Sequence, residues 1–281
     1  QWSVTSRGGF LAVPGLSMRL LHTAQQKAIL RQFSVVEKAY GKGKGDTVYF
    51  DRAGNLTTAG STTGISETGT MPETDFALTQ GSIVVSEFGN SVRYTGYLNT
   101  IGTISISDAA DRALRDDMVK TLDLAIRGDL RSTDVKIKYA TTGTATSPTN
   151  TFDTDGTQST AWTRDLQPFD IREGVGYMEG TLFAPPYEDD NYVFIASINA
   201  HNVMFALTGN DFYDAAVRQM QGNKVWNGEV GQYFRARFVK ESNSFAGTTN
   251  AYKGEAALIG AEAWVEAIAV APEIRAKLVE D

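Results

Sequence analysis

Reactive side chains are few in this chain, and their spacing fits no common catalytic constellation. Two imidazoles, His22 and His201, are all that a histidine base or metal site could draw on. A Ser-His-acid nucleophile needs a base beside an exposed serine, and no G-x-S-x-G elbow is present. There is no H-E-x-x-H and no Cys/His cluster that would hold zinc. Asp153-Thr154-Asp155-Gly156 has part of a calcium-loop pattern. Thr151 stands where the first acidic ligand belongs, however, and Trp162 where the bidentate glutamate belongs. An Asx-type turn is the better reading. Gly41 to Asp46 is glycine-rich and basic without the frame that aims backbone amides at phosphate, so it reads as a joint. Gly174-Val175-Gly176 interrupts a helical pattern, and its spacing to Gly180 does not suit a dinucleotide fingerprint. Asp116-Asp117 and Glu188-Asp189-Asp190 supply the adjacent carboxylates a hydrolase could use. On a turn or an exposed helix face such groups are ordinarily solvated. The expectation is no catalytic residue, no metal ligand, no cofactor and no enzymatic activity.

Bulk properties narrow the classes further. With 281 residues, 42% hydrophobic and 21% charged, the chain can bury about three quarters of its unfolded surface as one large or two small domains. A net charge of -7 argues against a dedicated nucleic-acid binder, which needs a basic face to displace counterions. It still allows a wall around nucleic acid, since like charge keeps the polymer from adhering. Cysteine is absent, which removes disulfide staples. No apolar run is long enough to span a bilayer. The first fifteen residues make a weak signal peptide, and the missing initiator Met points to trimming or an upstream segment. The sequon Asn55-Leu56-Thr57 would matter only in a secreted chain.

These sparse groups sit on elements of unequal character. Ser17 to Tyr40 has helical spacing in Leu20, Leu21, Ala24, Ala28, Phe33 and Val36. A strand at Thr47 to Phe50 leads into Arg52 to Gln80, where about half the residues are Thr, Ser or Gly. Ordering about 29 residues costs roughly 1–2 kcal/mol each, and this arm has little apolar area to offset that. Gly81 to Thr95 alternates with period two, as a half-buried strand requires. A helix is expected from about Asp108 to Gly128, capped by Ser105 or Ser107, with Ala110, Ala113, Leu114, Met118, Leu122, Ala125 and Ile126 in one stripe and Gly128 as its stop. Val135 to Tyr139 reads as a strand, and Ala140 to Thr163 as a Thr-rich excursion. A further helix opens at Pro168 and runs through Phe169, Ile171, Val175 and Met178.

Asn191 to Ala196 is a continuous apolar run, the mark of a buried strand. A short helix is expected near Asn210 to Met220. Gly228-Glu229-Val230-Gly231 then precedes a strand placing Phe234, Ala236 and Phe238 on one face and Tyr233, Arg235 and Arg237 on the other. Ala257 to Val270 reads as a strand with helix as its competitor, and Pro272 starts a terminal helix. The mix is α+β without regular βαβ alternation. A long hairpin with little core of its own, feeding a long helix, points to a chain that completes itself on a neighbour.

Four patterns, in this order, resemble the major capsid proteins of tailed bacteriophages. They are Glu67-Thr68-Gly69 through Met71-Pro72 with the segment 81–95, notably Glu87-Phe88-Gly89 and Val92-Arg93-Tyr94-Thr95; then Asp111 through Asp123; then Gly228-Glu229-Val230-Gly231 leading to Arg237-Phe238-Val239-Lys240-Glu241-Ser242; and last Gly254 to Val270. The resemblance implies an HK97-like α+β fold. It implies an N-terminal arm at 1–45, an extended hairpin loop at 46–100, and a spine helix and peripheral domain at 101–184. An axial domain would follow at 185–250, and a C-terminal return to the peripheral domain at 251–281. It also implies self-assembly as pentamers and hexamers into an icosahedral shell around double-stranded DNA, with portal, scaffolding and cement proteins as further partners. It implies no membrane partner and a location in the virion, assembled in the host cytoplasm. The interface candidates are Arg52, Glu67, Glu87 and Arg93 on the loop, with Glu229, Arg235 and Arg237 in the axial region. Some shells of this lineage are locked by Lys-Asn isopeptide bonds from a loop lysine. No lysine lies between Asp46 and Val119, so noncovalent locking is expected. The alternatives are an encapsulin-type compartment, a β-rich hydrolase using paired carboxylates, and a secreted adhesin.

Overall fold

A computed structural model describes residues 29–37, 47–54, 56, 64–65, 67–71, 73, 75–101, 105–138, 143–144, 147–148, 151–156, 166–197, 201, 213–214, 225–241, 256–270 and 273–275. The chain divides into two units. One comprises Gln1–Phe33 with Gly89–Ala263, the other Ser34–Phe88 with Trp264–Asp281. Among the described residues, no helix is long and apolar enough to cross a membrane.

The first unit is built on a five-stranded sheet. Its middle strands are β8 (Tyr192–Ala196) and β11 (Ala236–Lys240), which run parallel from Ala236↔Tyr192 to Lys240↔Ala196. Outside β8 lies antiparallel β12 (Ala256–Ile259). Outside β11 lie β10 (Glu229–Tyr233) and β9 (Tyr213–Asp214), giving the order β12-β8-β11-β10-β9. All five residues of β8 are buried, because a strand covered on both faces has no polar side. Helix α3 (Pro168–Gly180) lays Ile171 and Val175 against Tyr192, Phe194, Ala236 and Phe238. Pro168 begins it where a missing N–H costs nothing, and Gln167 and Asp170 form a reciprocal capping box. Gly174 and Gly176 do not break it. At Gly174 a Cβ would stand 3.2 Å from Leu258 and 3.4 Å from Ile137, so the glycine lets helix and sheet approach.

Ahead of the sheet, α1 (Gly96–Ile101) precedes α2 (Ile106–Arg131), which is longer at both ends than its apolar stripe. The Ser105 side chain caps its first turn through the Asp108 N–H, and the helix passes through Gly128 to end at Ser132. Only Ala110 and Asp123 of α2 are buried, while Ala113 and Met118 of the expected stripe are exposed. Beyond it, β4 (Lys136–Lys138) pairs with β7 (Thr151–Asp153), and the two-residue strands β5 (Gly143–Thr144) and β6 (Ser147–Pro148) pair between them. Where it is described, the Thr-rich excursion pairs as short strands, fastened where Phe152 stacks on Tyr177 of α3 at 4.0 Å. Gly156, at φ 76°, closes the turn after Asp155 by donating to Asp134 O.

The second unit has two small sheets. Strand β1 (Val35–Glu37) pairs in parallel with β13 (Val265–Ala267). Strands β2 (Thr47–Ala53) and β3 (Leu78–Val84) make an antiparallel ribbon from Thr47↔Val84 to Ala53↔Leu78.

Several expectations need correction. Where the helix 17–40 is described it is a 3-10 turn, Leu30–Phe33, followed by β1, since β-branched Val35 and Val36 favour a strand once a partner is present. The alternating segment 81–95 is strand only to Val84, and α1 was not foreseen. Tyr213–Asp214 is an edge strand within the stretch read as a helix at 210–220; the rest of that stretch, with Asn210, lies outside the described residues. Residues 257–270 hold two strands separated at Gly260, because a Cβ there would fall 2.5 Å from Pro185 O. Glu273 to Arg275 are not helical, and Pro272 lies outside the described residues. So do His22, Ser17 to Ala28, the glycine joint and 11 of the 29 residues of the arm 52–80.

Candidate functional site

Three places in the molecule collect polar or apolar groups in unusual ways. The first is a buried ionic cluster on β10 and β11. A bulge between Glu229 and Gly231 shifts the register, so Glu229 pairs with Val239 while Gln232 pairs with Arg237. The Glu229 and Arg237 side chains, both 0% exposed, meet in a forked pair at 2.6 and 3.0 Å. Glu188 stands 3.5 Å from the same guanidinium and accepts from the Trp226 indole at 2.9 Å. The guanidinium lies 3.4 Å from the Trp226 ring centroid. Trp226, Phe33 and Tyr187 then form three edge-on ring contacts. Gln32 donates to Asn227 O at 2.9 Å and its Oε1 accepts from Asn227 N–H, so the 3-10 turn is anchored on the sheet. Asp123 of α2 accepts from Ile29 N–H at 3.2 Å. A desolvated ion pair is worth little by itself, yet removing one partner strands the other's charge. The cluster therefore fixes how arm, helix and sheet register.

The second place is the tip of the β10–β11 hairpin. Phe234 and Arg235 form its two-residue turn with φ of 40° and 58°, both in the left-handed region. Arg235 bridges Glu179 at 2.6 Å and Asp190 at 2.5 Å, and the hydrogen bond it donates to Glu179 raises its already high pKa. Asp190 sits in a second tight turn, Glu188 to Asn191, where Asp189 and Asp190 also have positive φ. Burial, reinforced by Glu179, raises the pKa of the neighbouring Tyr192. Between this tip and α3 lies an open groove of about 330 Å³ lined by Phe169, Arg172, Val175, Gly176, Glu179 and Phe234, among others.

The third is the ribbon. On one face Val48 is buried and Ile83 half-buried. The opposite face carries Tyr49, Leu78 and Val84, all exposed, and Phe76 and Phe88 beyond β3 are exposed too. A two-stranded ribbon is marginally stable in water, and this face sets the exposed Tyr49, Leu78 and Val84 around a hydrogen bond from Gln80 to Asp51 at 2.8 Å.

His201 stands apart. It is buried with edge-on contacts to Phe194 and Phe238, donates Nδ1–H to Ser197 O at 2.8 Å, and leaves Nε2 unpartnered among the described residues. Burial lowers its pKa to about 4.

The seven sequence candidates divide accordingly. Arg52 lies on β2 and Glu67 and Glu87 lie elsewhere in the second unit, all exposed; Arg93 is exposed in the first. Glu229 and Arg237 are inside their own chain, and Arg235 is tied to α3. The structure brings together Glu229 with Arg237 and leaves the loop residues dispersed. Sequence reasoning missed Trp226, Gln32 and Glu179, whose contacts with Glu188, Asn227 and Arg235 span 38, 195 and 56 residues. Of the carboxylate pairs, Asp117 accepts from Asn90 at 2.7 Å and Asp190 binds Arg235. Among the described residues, no group of three or more His, Asp or Glu could hold a metal ion.

No family model matches the sequence, and neither does any curated protein. Solved structures do match. The capsid of Ralstonia phage GP4 aligns over 98% of this chain and 87% of its own, at TM-score 0.64 and 16% identity. The cyanophage Pam1 capsid aligns over 92% and 83%, at 0.55 and 14%. The capsid of an empty GTA particle aligns over 86% and 77%, at 0.53 and 18%. At such identities what is shared is the course of the backbone, and by that measure the chain has the α+β, HK97-like fold of tailed-phage capsid proteins.

Proposed function

We propose that this chain is the major capsid protein of a tailed phage, tiling as pentamers and hexamers an icosahedral shell around packaged double-stranded DNA. One observation carries the reading beyond fold. The ribbon β2–β3 shows Tyr49, Leu78 and Val84 to solvent on a single face, and no described residue of its own unit covers them. Burying each on an adjoining copy is worth roughly 1.5–3 kcal/mol before ordering costs. Repetition around rings turns such modest contacts into a closed particle.

In this reading residues 46–100 are the loop that crosses onto a neighbour, with Arg52, Glu67, Glu87 and Arg93 pairing across the contact. Residues 185–250 form the axial domain, where Glu229 and Arg237 hold the hairpin that Arg235 secures to α3. The role is mechanical, without catalysis or cofactor. The shell is the virion's, assembled in the host cytoplasm, with portal, scaffolding and cement proteins as further partners. The test is to express the full chain and image it by negative stain. Rings or closed shells are expected, and a monomer under every condition rules the reading out. Nuclease-protected DNA in shells from infected cells separates a virion from an enzyme-loaded compartment.

A further inference from the structure

We propose that the outer edge of β3 pairs antiparallel with β3 of a second copy of this chain, about a two-fold axis at Gly81, so that two ribbons join as one continuous sheet. The inference rests on the shell reading, in which β2–β3 belongs to a loop that reaches another subunit, and it names the backbone contact that loop makes.

The edge is open and undefended. Among the described residues β3 pairs with β2 alone, and six of its seven residues are exposed. Gly54 N–H donates to Ala77 O at 2.9 Å, and the register runs on from that pair without a shift to Thr47↔Val84. Hydrogen-bonded pairs alternate along such a ladder, so Thr79, Gly81 and Ile83 turn their N–H and C=O groups towards β2. Leu78, Gln80, Ser82 and Val84 turn theirs outward. Proteins close such edges with lysine, proline, other charges or a bulge. β3 has none of these: it reads Leu-Thr-Gln-Gly-Ser-Ile-Val with an unbroken register, whereas β2 carries Asp51 and Arg52. Glycine weakens a strand interior and marks a place where another backbone comes close. A Cβ at Gly81 would meet only Phe50 O, at 4.0 Å, so the ribbon itself does not require glycine there.

The residues of β3 select a second β3 as the occupant, because the strand is complementary to itself when reversed about Gly81. Leu78 then faces Val84 of the other copy, Thr79 faces Ile83 and Gln80 faces Ser82. Apolar meets apolar, β-branched meets β-branched and amide meets hydroxyl, the kind of cross-strand pairs that stabilise a sheet. The backbone groups match as well. Leu78–Val84 and Gln80–Ser82 become hydrogen-bonded pairs, and the two Gly81 residues meet in a non-hydrogen-bonded pair, where antiparallel backbones lie closest. Moving the axis to Gln80 or Ser82 sets Leu78 against Ser82, or Gln80 against Val84, and breaks the apolar pair. Among the described residues the other uncharged strands with an open edge are β5, β6 and β12. The longest, β12, spans four residues against seven, so it cannot cover Leu78 and Val84 together. An isologous contact of this kind uses the same patch on both copies.

A chain without cysteine makes single thiols informative. Full-length Gly81→Cys treated with diamide is expected to form a disulfide-linked dimer, since a residue on the axis faces its own copy at disulfide distance. Thr79→Cys alone and Ile83→Cys alone should form none, while a mixture of the two should form the mixed dimer. These are independent variants, so misfolding of one leaves the other decisive. Adding Ser82→Pro to Gly81→Cys deletes an outward N–H from each strand, spares the bonds to β2, and should slow the disulfide about tenfold. No dimer from Gly81→Cys and none from the mixture overturns the pairing. So does Thr79→Cys linking to itself as fast as Gly81→Cys, or Gly81→Cys linking to Ala257→Cys of β12 in preference to itself, or a rate that Ser82→Pro leaves unchanged. Thiols report on strands and microscopy on particles, so the two readings fail separately. Particles without the dimer leave the shell standing and remove the pairing; the dimer in a chain that never forms particles upholds the pairing and removes the shell.

Discussion

The five-stranded sheet and the two-stranded ribbon handle the same problem, unpaired backbone and apolar side chains, in opposite ways. In the sheet, β8 is hydrogen-bonded on both sides and no residue of it reaches solvent, so its order is supplied by its own unit. In the ribbon each strand has one partner, and Leu78, in the closing pair with Ala53, is 67% exposed. The sheet is a core, and on the proposed function the ribbon is half of an interface. Substitutions should therefore sort by region: changes in the sheet unfold the isolated chain, while changes on the ribbon spare the chain and impair assembly.

The largest expected effect is Arg237→Ala. It leaves Glu229 buried beside Glu188 without its counter-ion, and should lower the stability of the first unit by about 3–5 kcal/mol in denaturant titration. An unchanged midpoint would mean that the cluster does not hold the hairpin.

Acid should act next, through His201. Its folded pKa of about 4 lies below the unfolded value near 6.5, so between these the unfolded chain binds more protons than the folded one. Stability contributed by the neutral ring is complete above about pH 6.5 and is lost as pH falls towards 4, about 3 kcal/mol in all. His201→Phe keeps the aromatic packing and should flatten that slope, measured as melting temperature against pH.

Gly260→Ala is expected to cost about 1–3 kcal/mol, because its Cβ would press on Pro185 O, a backbone atom that cannot swing aside. Gly176→Ala, by contrast, should stabilise the subunit by roughly 0.5–1 kcal/mol.

The smallest effect on the subunit belongs to the ribbon. Tyr49→Ser and Leu78→Ser should stay within about 0.5 kcal/mol of the parent by thermal melting. Both should nevertheless reduce the yield of particles sharply. A ribbon variant that unfolds the free chain would erase the distinction between the regions.

The same contrast explains what could be read from residues alone. Local signals were legible: the continuous apolar run of β8, the Ser105 cap on α2, and Pro168 opening α3 all depend on neighbours a few positions away. The order of short patterns was enough to point to the HK97-like fold. What failed depended on distant partners. Val35 and Val36 look helical until Val265 and Glu266 arrive from the far end of the chain. Glu229 and Arg237 read as outward charges because alternation ignores a bulge and a two-residue turn. The glycine pairs misled for the same reason. Gly174 is a packing device against Leu258, a relation that no window of sequence contains.

Amide hydrogen exchange over Thr47–Ala53 and Leu78–Val84, in free subunits and in particles, reaches most directly the claim that the ribbon is ordered by a neighbour. Exchange within the dead time in subunits, slowed by orders of magnitude in particles while β8 stays protected in both, is the predicted result. Equal protection of the ribbon in the two states would contradict it.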